Sequence, residues 1–550
     1  ARMRYTSLTS AAGFLSLMLT PIPPVRVFGG FVALGIGIAF VLTILFVPAY
    51  IVALPEKRLS ALCSSKREAN DGGFLGRMVE GVGARSLRFA KPILVLTVAI
   101  IAISGYGISK ININDNPVRW FKPSHKIRVA DEVLNRELAG TYTAFLVMKQ
   151  DTDAEREIVA AGDAALRGAS DPLRAKWDEL KAEAELASKE GVTNVSDALV
   201  EAVSDLSFDT EGDESARWQA VQAALEEAQT ASKTFQNPKH LAYVQSVQER
   251  AESLALVGKT SSITDVVKTV YRELISGEQK DYRIPDSTEG VAQTLLQFQS
   301  SHRPNDLWHL VSPDYRESVI WMQLKSGDNQ DMLTVKSHMD AFLAENPPPE
   351  GLRAEWAGLT YINVVWQEEM VGGMLESLMG AFVIVFLMMM ILFRSPVYGA
   401  LAMVPLTITI VLTYGLIGLV GKDYDMPVAV LSSLTLGLSV DFAIHFLERA
   451  RSIQSETGDW RQTMGLMFQE PGRAITRNAI VIAIGFLPLL AAPLVPYNTV
   501  GFLMAAIMAV SSIVTVMLLP AIMMSIQNRL STKKERASAN SGAQLKEQTT

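Results

Sequence analysis

The chain has few of the residues that redox, metal or nucleophilic chemistry requires. Its 550 residues include a single cysteine, Cys63, so it cannot form an intrachain disulfide. Five of its six histidines are scattered through the central part of the sequence: His125, His240, His302, His309 and His338. They match no metal-ligand spacing, and no nucleophile motif accompanies them. We therefore predict that the protein is not an enzyme and that it uses no metal and no cofactor.

Nucleotide and nucleic-acid binding also lack support. The segment Gly258-Lys259-Thr260 looks like the end of a Walker A motif, but that motif needs a glycine where the chain has Ser253. The formal net charge is −7, and the basic residues collect beside apolar segments rather than in a domain of their own. We predict neither a nucleotide site nor a nucleic-acid partner.

What the chain does have is long apolar segments. Hydrophobic residues make up 49% of the sequence, and many lie in stretches long enough to cross a bilayer. The first stretch is short and dotted with serine and threonine. Eight stretches are predicted to span the membrane as helices: residues 6–18, 28–54, 92–109, 373–393, 400–420, 428–447, 479–494 and 500–526.

Charge in the loops predicts how these helices cross the membrane. Residues 55–91 are rich in lysine and arginine, and so is the tail around Lys533, whereas the short loops on the other side hold only Arg26 and Lys422. By the positive-inside rule, the basic side is cytoplasmic. Both termini are then inside, and residues 110–370 form a large domain outside.

Residues 110–370 are predicted to fold as an α/β domain. Strands are expected at 143–148, 318–324 and 352–356, with a helix between the last two. Between the first two strands, at about residues 153–274, Ala, Glu, Lys and Gln dominate and apolar residues recur at helical spacing, which predicts an inserted set of helical hairpins. The fold class is therefore an α-helical polytopic membrane protein with an extracytoplasmic α/β domain.

These predictions divide the chain into consecutive parts, with membrane helices on both sides of the α/β domain. In order, they are two transmembrane helices (1–54), a cytoplasmic basic loop (55–91), one transmembrane helix (92–109), the α/β domain (110–370), three transmembrane helices (371–448), a cytoplasmic linker helix (449–477), two transmembrane helices (478–526) and a disordered cytoplasmic tail (527–550).

One predicted span carries a carboxylate. In the stretch LSSLTLGLSVDFAIHFLERAR, Asp441 lies fourteen residues after Pro427, roughly 21 Å into a hydrocarbon core about 30 Å thick. An ionisable group at that depth is costly, and such groups usually face a bundle interior where they bind or pass an ion. We interpret Asp441 as a proton-relay residue. The alternative is a protonated carboxyl that only forms a hydrogen bond between helices.

Gly437, His445 and Arg449 lie four or eight residues from Asp441 and therefore share its face of the helix. Gly437 would let another helix approach closely. Because histidine titrates near neutral pH, His445 is a candidate to pass protons on, although a structural role is the alternative. Arg449 is expected at the membrane interface.

The first two spans repeat in the last two without a gap, at an offset of 472 residues. The corresponding residues are Gly13 and Gly485, Phe14 and Phe486, Pro24 and Pro496, Gly29 and Gly501, and Pro48 and Pro520. Parallel repeats are one known transporter plan. We therefore expect the first two spans to end a unit that is otherwise absent here, so that a complete molecule would have about twelve spans and two outer domains.

Three short motifs, together with the repeated helix pair, carry a resemblance to a known family. They are Asn114-Asp115-Asn116-Pro117 with Trp120-Phe121, Phe393-Arg394-Ser395-Pro396, and Gly437-x-x-x-Asp441-Phe442 with His445 and Arg449. With these motifs the chain resembles the resistance-nodulation-division superfamily, specifically the hydrophobe/amphiphile exporters with MmpL-like membrane domains, which include hopanoid transporters.

The resemblance implies a ferredoxin-like porter domain on the periplasmic side of a bacterial inner membrane, and export of lipids or other amphiphiles driven by protons. It implies that Asp441 is the relay carboxylate of the second half, with Gly437 and Phe442 packed beside it. The family often has tyrosine at the position of Phe442, so this chain lacks one hydroxyl partner. A second relay aspartate would belong to the missing N-terminal half.

Two other functions stay open, the first because sterol-sensing proteins share this helical layout and the second because the long helical insert is compatible with it. One is a sterol-sensing-like receptor that binds lipid without transport, and the other is an auxiliary motor for protein secretion. Coupling distinguishes them, because a receptor would bind lipid without a proton flux. The expected partners are the membrane, a lipid or amphiphilic substrate and, as an open option, further copies of the chain.

Overall fold

The computed structural model describes residues 2–19, 23–55, 74–151, 153–189, 191 and 194–547. These residues divide into two units. The membrane unit comprises Ala1–Val129 and Val365–Thr550, and the α/β unit comprises Ala130–Val364. Cys63 and residues 56–73 of the predicted basic loop lie outside the described residues.

The first part of the membrane unit is helical. Helix α1 continues into a 3-10 turn at Ser16–Leu19, and the long apolar helix α2 follows. Helix α3 is amphipathic, with Arg85 and Arg88 in its last turn, and leads into the apolar helix α4. The bounds are α1 Arg2–Leu15, α2 Pro23–Ala53, α3 Phe74–Arg88 and α4 Ala90–Ile108.

The α/β unit is built on one antiparallel sheet with the strand order β2-β3-β1-β4. Apolar side chains alternate along the central strands, so that Leu146 of β1 and Ile320 and Met322 of β3 are fully buried. In chain order the elements are α5 Lys126–Glu137, β1 Tyr142–Gln150, α6 Ala154–Ala165, α7 Asp171–Lys189, α8 Val195–Asp209, α9 Asp213–Ser232, α10 Pro238–Glu252, β2 Val257–Ser261, α11 Ile263–Ile275, α12 Thr288–Gln299, β3 Glu317–Leu324, α13 Asn329–Glu345 and β4 Leu352–Ala357.

The helices of the α/β unit form two separate hydrophobic cores. Helices α10 to α13 pack on the sheet, with Val244 and Val267 among the buried residues. Helices α6 to α9 have a core of their own around Trp177, Leu199 and Trp218. The independently packed insert is therefore shorter than the predicted range of about 153–274.

The sequence prediction missed one strand, β2. It contains the Gly258-Lys259-Thr260 segment, and its burial pattern leaves only Val257 and Thr260 buried. A strand this short, with a glycine and so few apolar residues, lacks the alternating pattern by which strands are recognised.

The last part of the membrane unit holds its most buried helices. Their bounds are α14 Leu359–Phe393, α15 Pro396–Val420, α16 Met426–Thr457, α17 Trp460–Met467, α18 Glu470–Phe486 and α19 Val495–Glu547. One large core joins apolar residues of α14, α15, α16, α18 and α19, with Phe442 and Phe446 near its centre. These residues and the spans confirm the predicted fold class of a polytopic α-helical membrane protein.

Seven helices of the described residues are long and apolar enough to cross a membrane, one fewer than predicted. The eighth predicted span, 6–18, corresponds to a shorter apolar helix over Ser10–Leu19. By itself it falls short of the roughly 20 residues that a bilayer requires. It nevertheless packs against α2 and α16 within the unit.

Two further predictions differ from the structure. The linker 449–477 is not one helix, because Gly458, with a φ of 69°, ends α16, and the Asp459 side chain accepts a hydrogen bond from the Arg461 N–H at the start of α17. The tail predicted to be disordered continues α19 as far as Glu547. That segment contains no proline and many good helix formers, which favours continuation of the helix.

Candidate functional site

Asp441 lies near the middle of α16, the most deeply buried of the seven spans. Asp425 caps the helix by accepting a hydrogen bond from the Val428 N–H at 3.2 Å, and Pro427 occupies the first turn, where it costs no helical hydrogen bond. The capped helix is 32 residues long and places the carboxylate inside the bundle. The side chain of Asp441 is half-buried.

A close helix crossing lies one turn away from this carboxylate. A Cβ atom at Gly13 of α1 would lie 2.8 Å from the Cα of Gly437, and a Cβ at Gly437 would lie 3.4 Å from the ring of Phe14. A side chain at Gly13 would clash with the backbone of α16, so the glycine at this position permits the approach, whereas a methyl group at Gly437 would make only an ordinary contact. The structure thus places Gly437 where α1 and α16 are in direct backbone contact.

The approach brings a hydroxyl to the carboxylate. Ser10, one turn before the Gly13 position on α1, is 8% exposed and lies 3.0 Å from the Gly437 carbonyl oxygen and 3.3 Å from Asp441 Oδ2. A hydroxyl can donate to one of these oxygens at a time. Ser10 therefore has two alternative acceptors, and the charge on Asp441 affects which of them is favoured.

His445 lies one turn beyond Asp441, towards the end of α16 that is predicted to be cytoplasmic. It is exposed and lines a cavity of about 410 Å³ between α16 and α18. Glu448 and Arg449 of α16 and Glu470 and Asn478 of α18 also line this cavity. The candidate relay residues are thus one helical turn apart, and the second lines a cavity whose walls contain both polar and apolar side chains.

Phe442 forms one wall of the same cavity and is 1% exposed. Its ring belongs to the main core of the membrane unit. Phe442, at the position where the resembled family often has tyrosine, therefore contributes packing here. The hydroxyl next to Asp441 comes instead from Ser10 of another helix.

The predicted repeat is visible in the backbone. Each copy consists of a helix, a 3-10 turn and a second helix, with the turns at Ser16–Leu19 and Leu487–Ala491. A Cβ at Gly29 would meet the Phe14 carbonyl oxygen and Leu17, and one at Gly501 would meet the corresponding Phe486 carbonyl oxygen and Leu489. The same glycine makes the same close contact in both copies.

The sequence motifs did not point to Ser10. It lies 431 residues from Asp441 along the chain, and helical periodicity shows which residues share a face but not which helix packs opposite. The serine and threonine content of the first span was the available signal. Among the described residues, no group of three or more His, Cys, Asp or Glu side chains could hold a metal ion.

Comparison with known proteins places these features in a family. Residues 213–543, well over half of the chain, match the MMPL family. The membrane protein MJ1562 of Methanocaldococcus jannaschii is 22% identical over 280 residues, which cover 51% of this chain and 70% of that protein. The membrane protein ActII-3 of Streptomyces coelicolor is 24% identical over 186 residues, or 33% of this chain and 26% of that protein.

Among solved structures, the cryo-EM structure of the hedgehog release protein Disp from the water bear Hypsibius dujardini has a TM-score of 0.49 and 14% sequence identity. The match covers 94% of this chain and 57% of that one. The chain thus spans little more than half the length of Disp and about a quarter of ActII-3.

Proposed function

Because this chain, a multi-pass membrane protein, belongs to the MMPL family, we propose that it is part of a proton-driven exporter of lipids or other amphiphiles in the bacterial inner membrane. One observation supports this most strongly. A carboxylate, Asp441, lies midway along the most buried span and next to a glycine-to-glycine helix crossing. An ionisable group at that depth is costly, and such groups usually face a bundle interior where they bind or pass an ion.

Protonation of Asp441 changes the hydrogen bonds at the crossing. The charged carboxylate attracts the Ser10 hydroxyl at Oδ2, whereas the neutral acid accepts more weakly and becomes a donor itself. The hydroxyl can then turn to the Gly437 carbonyl oxygen at 3.0 Å. Because α1 and α16 touch at Gly13 and Gly437, such a change acts directly on how the two helices pack.

In the proposed mechanism, the cavity at His445 is the path that protons take from this crossing towards the side predicted to be cytoplasmic. Its lining includes the carboxyl groups of Glu448 and Glu470, which can exchange protons with water in the cavity. His445 is four residues from Asp441, a rise of about 6 Å along the helix. In this scheme, a proton released by Asp441 passes His445 and leaves through the cavity.

We predict that Asp441→Asn abolishes proton-coupled export while the protein still folds, because asparagine keeps the size and hydrogen-bonding capacity of the acid but cannot release a proton. The longest form of the protein that its gene encodes is reconstituted in vesicles with an imposed pH gradient. Movement of a fluorescent lipid and the internal pH are followed together.

Glu456→Gln is the matched control, because it neutralises an exposed carboxylate on the same helix. It should keep both signals. Retained export and proton flux in Asp441→Asn would refute the relay. Lipid binding by the wild type without any proton flux would instead favour the receptor function. Full activity in His445→Ala would show that His445 is not part of the proton path, and it would leave the role of Asp441 unchanged.

A further inference from the structure

A second polar cluster lies at the other end of the membrane unit, predicted to be extracytoplasmic. The chain that follows α4 runs beside the loop between α15 and α16, where the Tyr424 N–H donates to the Asn112 carbonyl oxygen at 2.8 Å and the Asn114 N–H donates to the Tyr424 carbonyl oxygen at 3.3 Å. Ile113 and Tyr424 form a parallel bridge. We name residues 112–116, residues 422–425 and Gln367 the outer clamp.

Gln367 joins α14 to the clamp. Its Nε2 donates to the Ile113 carbonyl oxygen at 3.3 Å, and its Oε1 accepts from the Asp115 N–H at 3.2 Å. It is 4% exposed. One short segment therefore ties together the ends of three membrane helices, α4, α14 and α16.

Asp115 is buried at the centre of the clamp, with 3% of its surface exposed. Its Oδ1 accepts a hydrogen bond from the Trp120 indole N–H at 3.0 Å. Its Oδ2 has no hydrogen-bond partner among the described residues. A buried carboxylate with one unsatisfied oxygen is far more costly than a neutral carboxyl in the same place.

The charges that face Asp115 do not compensate for this cost. Lys422 forms an ion pair with Asp425, and Arg119 forms one with Asp423 at 3.3 Å. The clamp thus contains three carboxylates, and both its own cation, Lys422, and the neighbouring Arg119 pair with a carboxylate other than Asp115. The α14 side of the cluster contributes the neutral Gln367.

Burial raises the pKa of Asp115 above its ordinary value, and the negative charge of Asp425 raises it further. The hydrogen bond from the Trp120 N–H is the main effect that lowers this pKa, and the Met426 N–H and the charge of Lys422 lower it more weakly. Burial also raises the pKa of the neighbouring Tyr424 to about 12, so that this hydroxyl stays neutral. Both directions agree with the geometry of the cluster.

We propose that Asp115 is a second proton-binding carboxyl of the membrane unit and that its protonated form keeps the outer clamp closed. Loss of the proton places an unpaired charge among Trp120, Gln367 and the Asp425 carboxylate. The clamp is then destabilised, and with it the arrangement of α4, α14 and α16 at this end. This inference does not depend on transport.

The test is thermal unfolding of the whole chain in detergent, for the wild type and Asp115→Asn, between about pH 4 and pH 8. An acid whose pKa is raised by folding contributes its full stabilisation of the folded state below its unfolded pKa. This contribution is lost as the pH rises through the folded pKa. Asparagine imitates the neutral acid at every pH. The two unfolding temperatures should agree at the acidic end, and the wild type should fall several degrees below the variant as the pH rises.

Asp423→Asn is the control, since it removes a neighbouring carboxylate that pairs with Arg119 and accepts from Asn112 and Asn114. It should lower the unfolding temperature at every pH. A wild type more stable than Asp115→Asn at neutral pH would overturn the proposal, as would stabilisation of the wild type alone by added sodium ions.

If Asp115→Asn fails to fold, Trp120→Phe is the deciding variant. Loss of the indole donor should move the pH at which stability is lost to a higher value than in the wild type, and an unchanged pH dependence refutes the proposal.

Discussion

At the scale of single residues, the candidate site depends on two glycines that carry no chemistry. Gly13 lets α1 meet α16 at the backbone of Gly437, and this contact brings Ser10 to Asp441. In a bilayer, helix association depends on close van der Waals packing, because lipid tails are as apolar as the helices. The carboxylate supplies the proton binding, while the glycines determine which hydroxyl it faces.

We predict that Gly13→Ala lowers the thermal stability of the membrane unit. The new methyl group would lie 2.8 Å from the Gly437 Cα, a backbone atom that cannot rotate away, so the helices must separate. Overpacking of this kind typically costs about 1–3 kcal/mol. Gly35→Ala on α2 is the control, because nothing in the described part of the chain lies within 4 Å of its Cβ position. That change should be neutral or slightly stabilising, and equal losses in both variants would contradict the explanation.

The sequence predicted part of this arrangement. The spacing of four residues placed Gly437, Asp441 and His445 on one face, and the structure shows that face against α1 at one end and a cavity at the other. Spacing could not identify α1 as the neighbour, because residues 10 and 441 are brought together only by the packing of the whole bundle. The orphaned Oδ2 of Asp115 is likewise invisible to a sequence pattern.

At the scale of elements, the helical insert and the sheet are held by different residues. The insert core contains Leu225, and the sheet core contains Val244; both side chains are fully buried. The ends of the insert lie close together, since the Gln150 N–H donates to the Arg316 carbonyl oxygen at 3.2 Å and the Phe235 N–H donates to the Tyr315 carbonyl oxygen at 3.0 Å. An element entered and left at neighbouring points can unfold without pulling the sheet apart.

We therefore predict different outcomes for two matched substitutions. Leu225→Asp should unfold α6 to α9 and leave the sheet intact, whereas Val244→Asp should unfold the sheet, because an unpaired charge in either core costs several kcal/mol. Hydrogen exchange of the whole chain measures both regions at once. Loss of protection in β1 and β3 in Leu225→Asp would show that the two cores unfold together.

Element boundaries show where sequence patterns fail. The alternation in β1 and β3 was sufficient to predict both strands, since their buried residues alternate as one face of a sheet requires. The amphipathic helices α10 and α11 resemble those of the insert in composition, so the pattern merged them with it. Tertiary packing on the sheet, which local composition does not encode, separates the two groups.

At the scale of the whole molecule, the repeat relates two helix pairs whose surroundings differ. Gly13 contacts the Asp-bearing helix α16, but its counterpart Gly485 on α18 has nothing within 4 Å of its Cβ position in the described residues. Ile482 takes the place of Ser10 at the offset of 472 residues, so the hydroxyl is not repeated. If the repeat continues in a longer protein, a helix equivalent to α16 should pack on Gly485, next to an apolar residue.

We predict that Gly485→Leu has little effect on the unfolding temperature of this chain, whereas Gly13→Leu lowers it strongly, because within the described part of the chain only Gly13 of the two has atoms of another helix within 4 Å of its Cβ position. In the longer protein that the repeat predicts, both substitutions should be equally damaging, since a bulky side chain would then separate a helix pair in each half. A Gly485→Leu variant as stable as the wild type in that longer protein would show that no such helix packs on α18. The two halves would then share an ancestry but not a common relay geometry, and Asp441 would have to work without a symmetric partner.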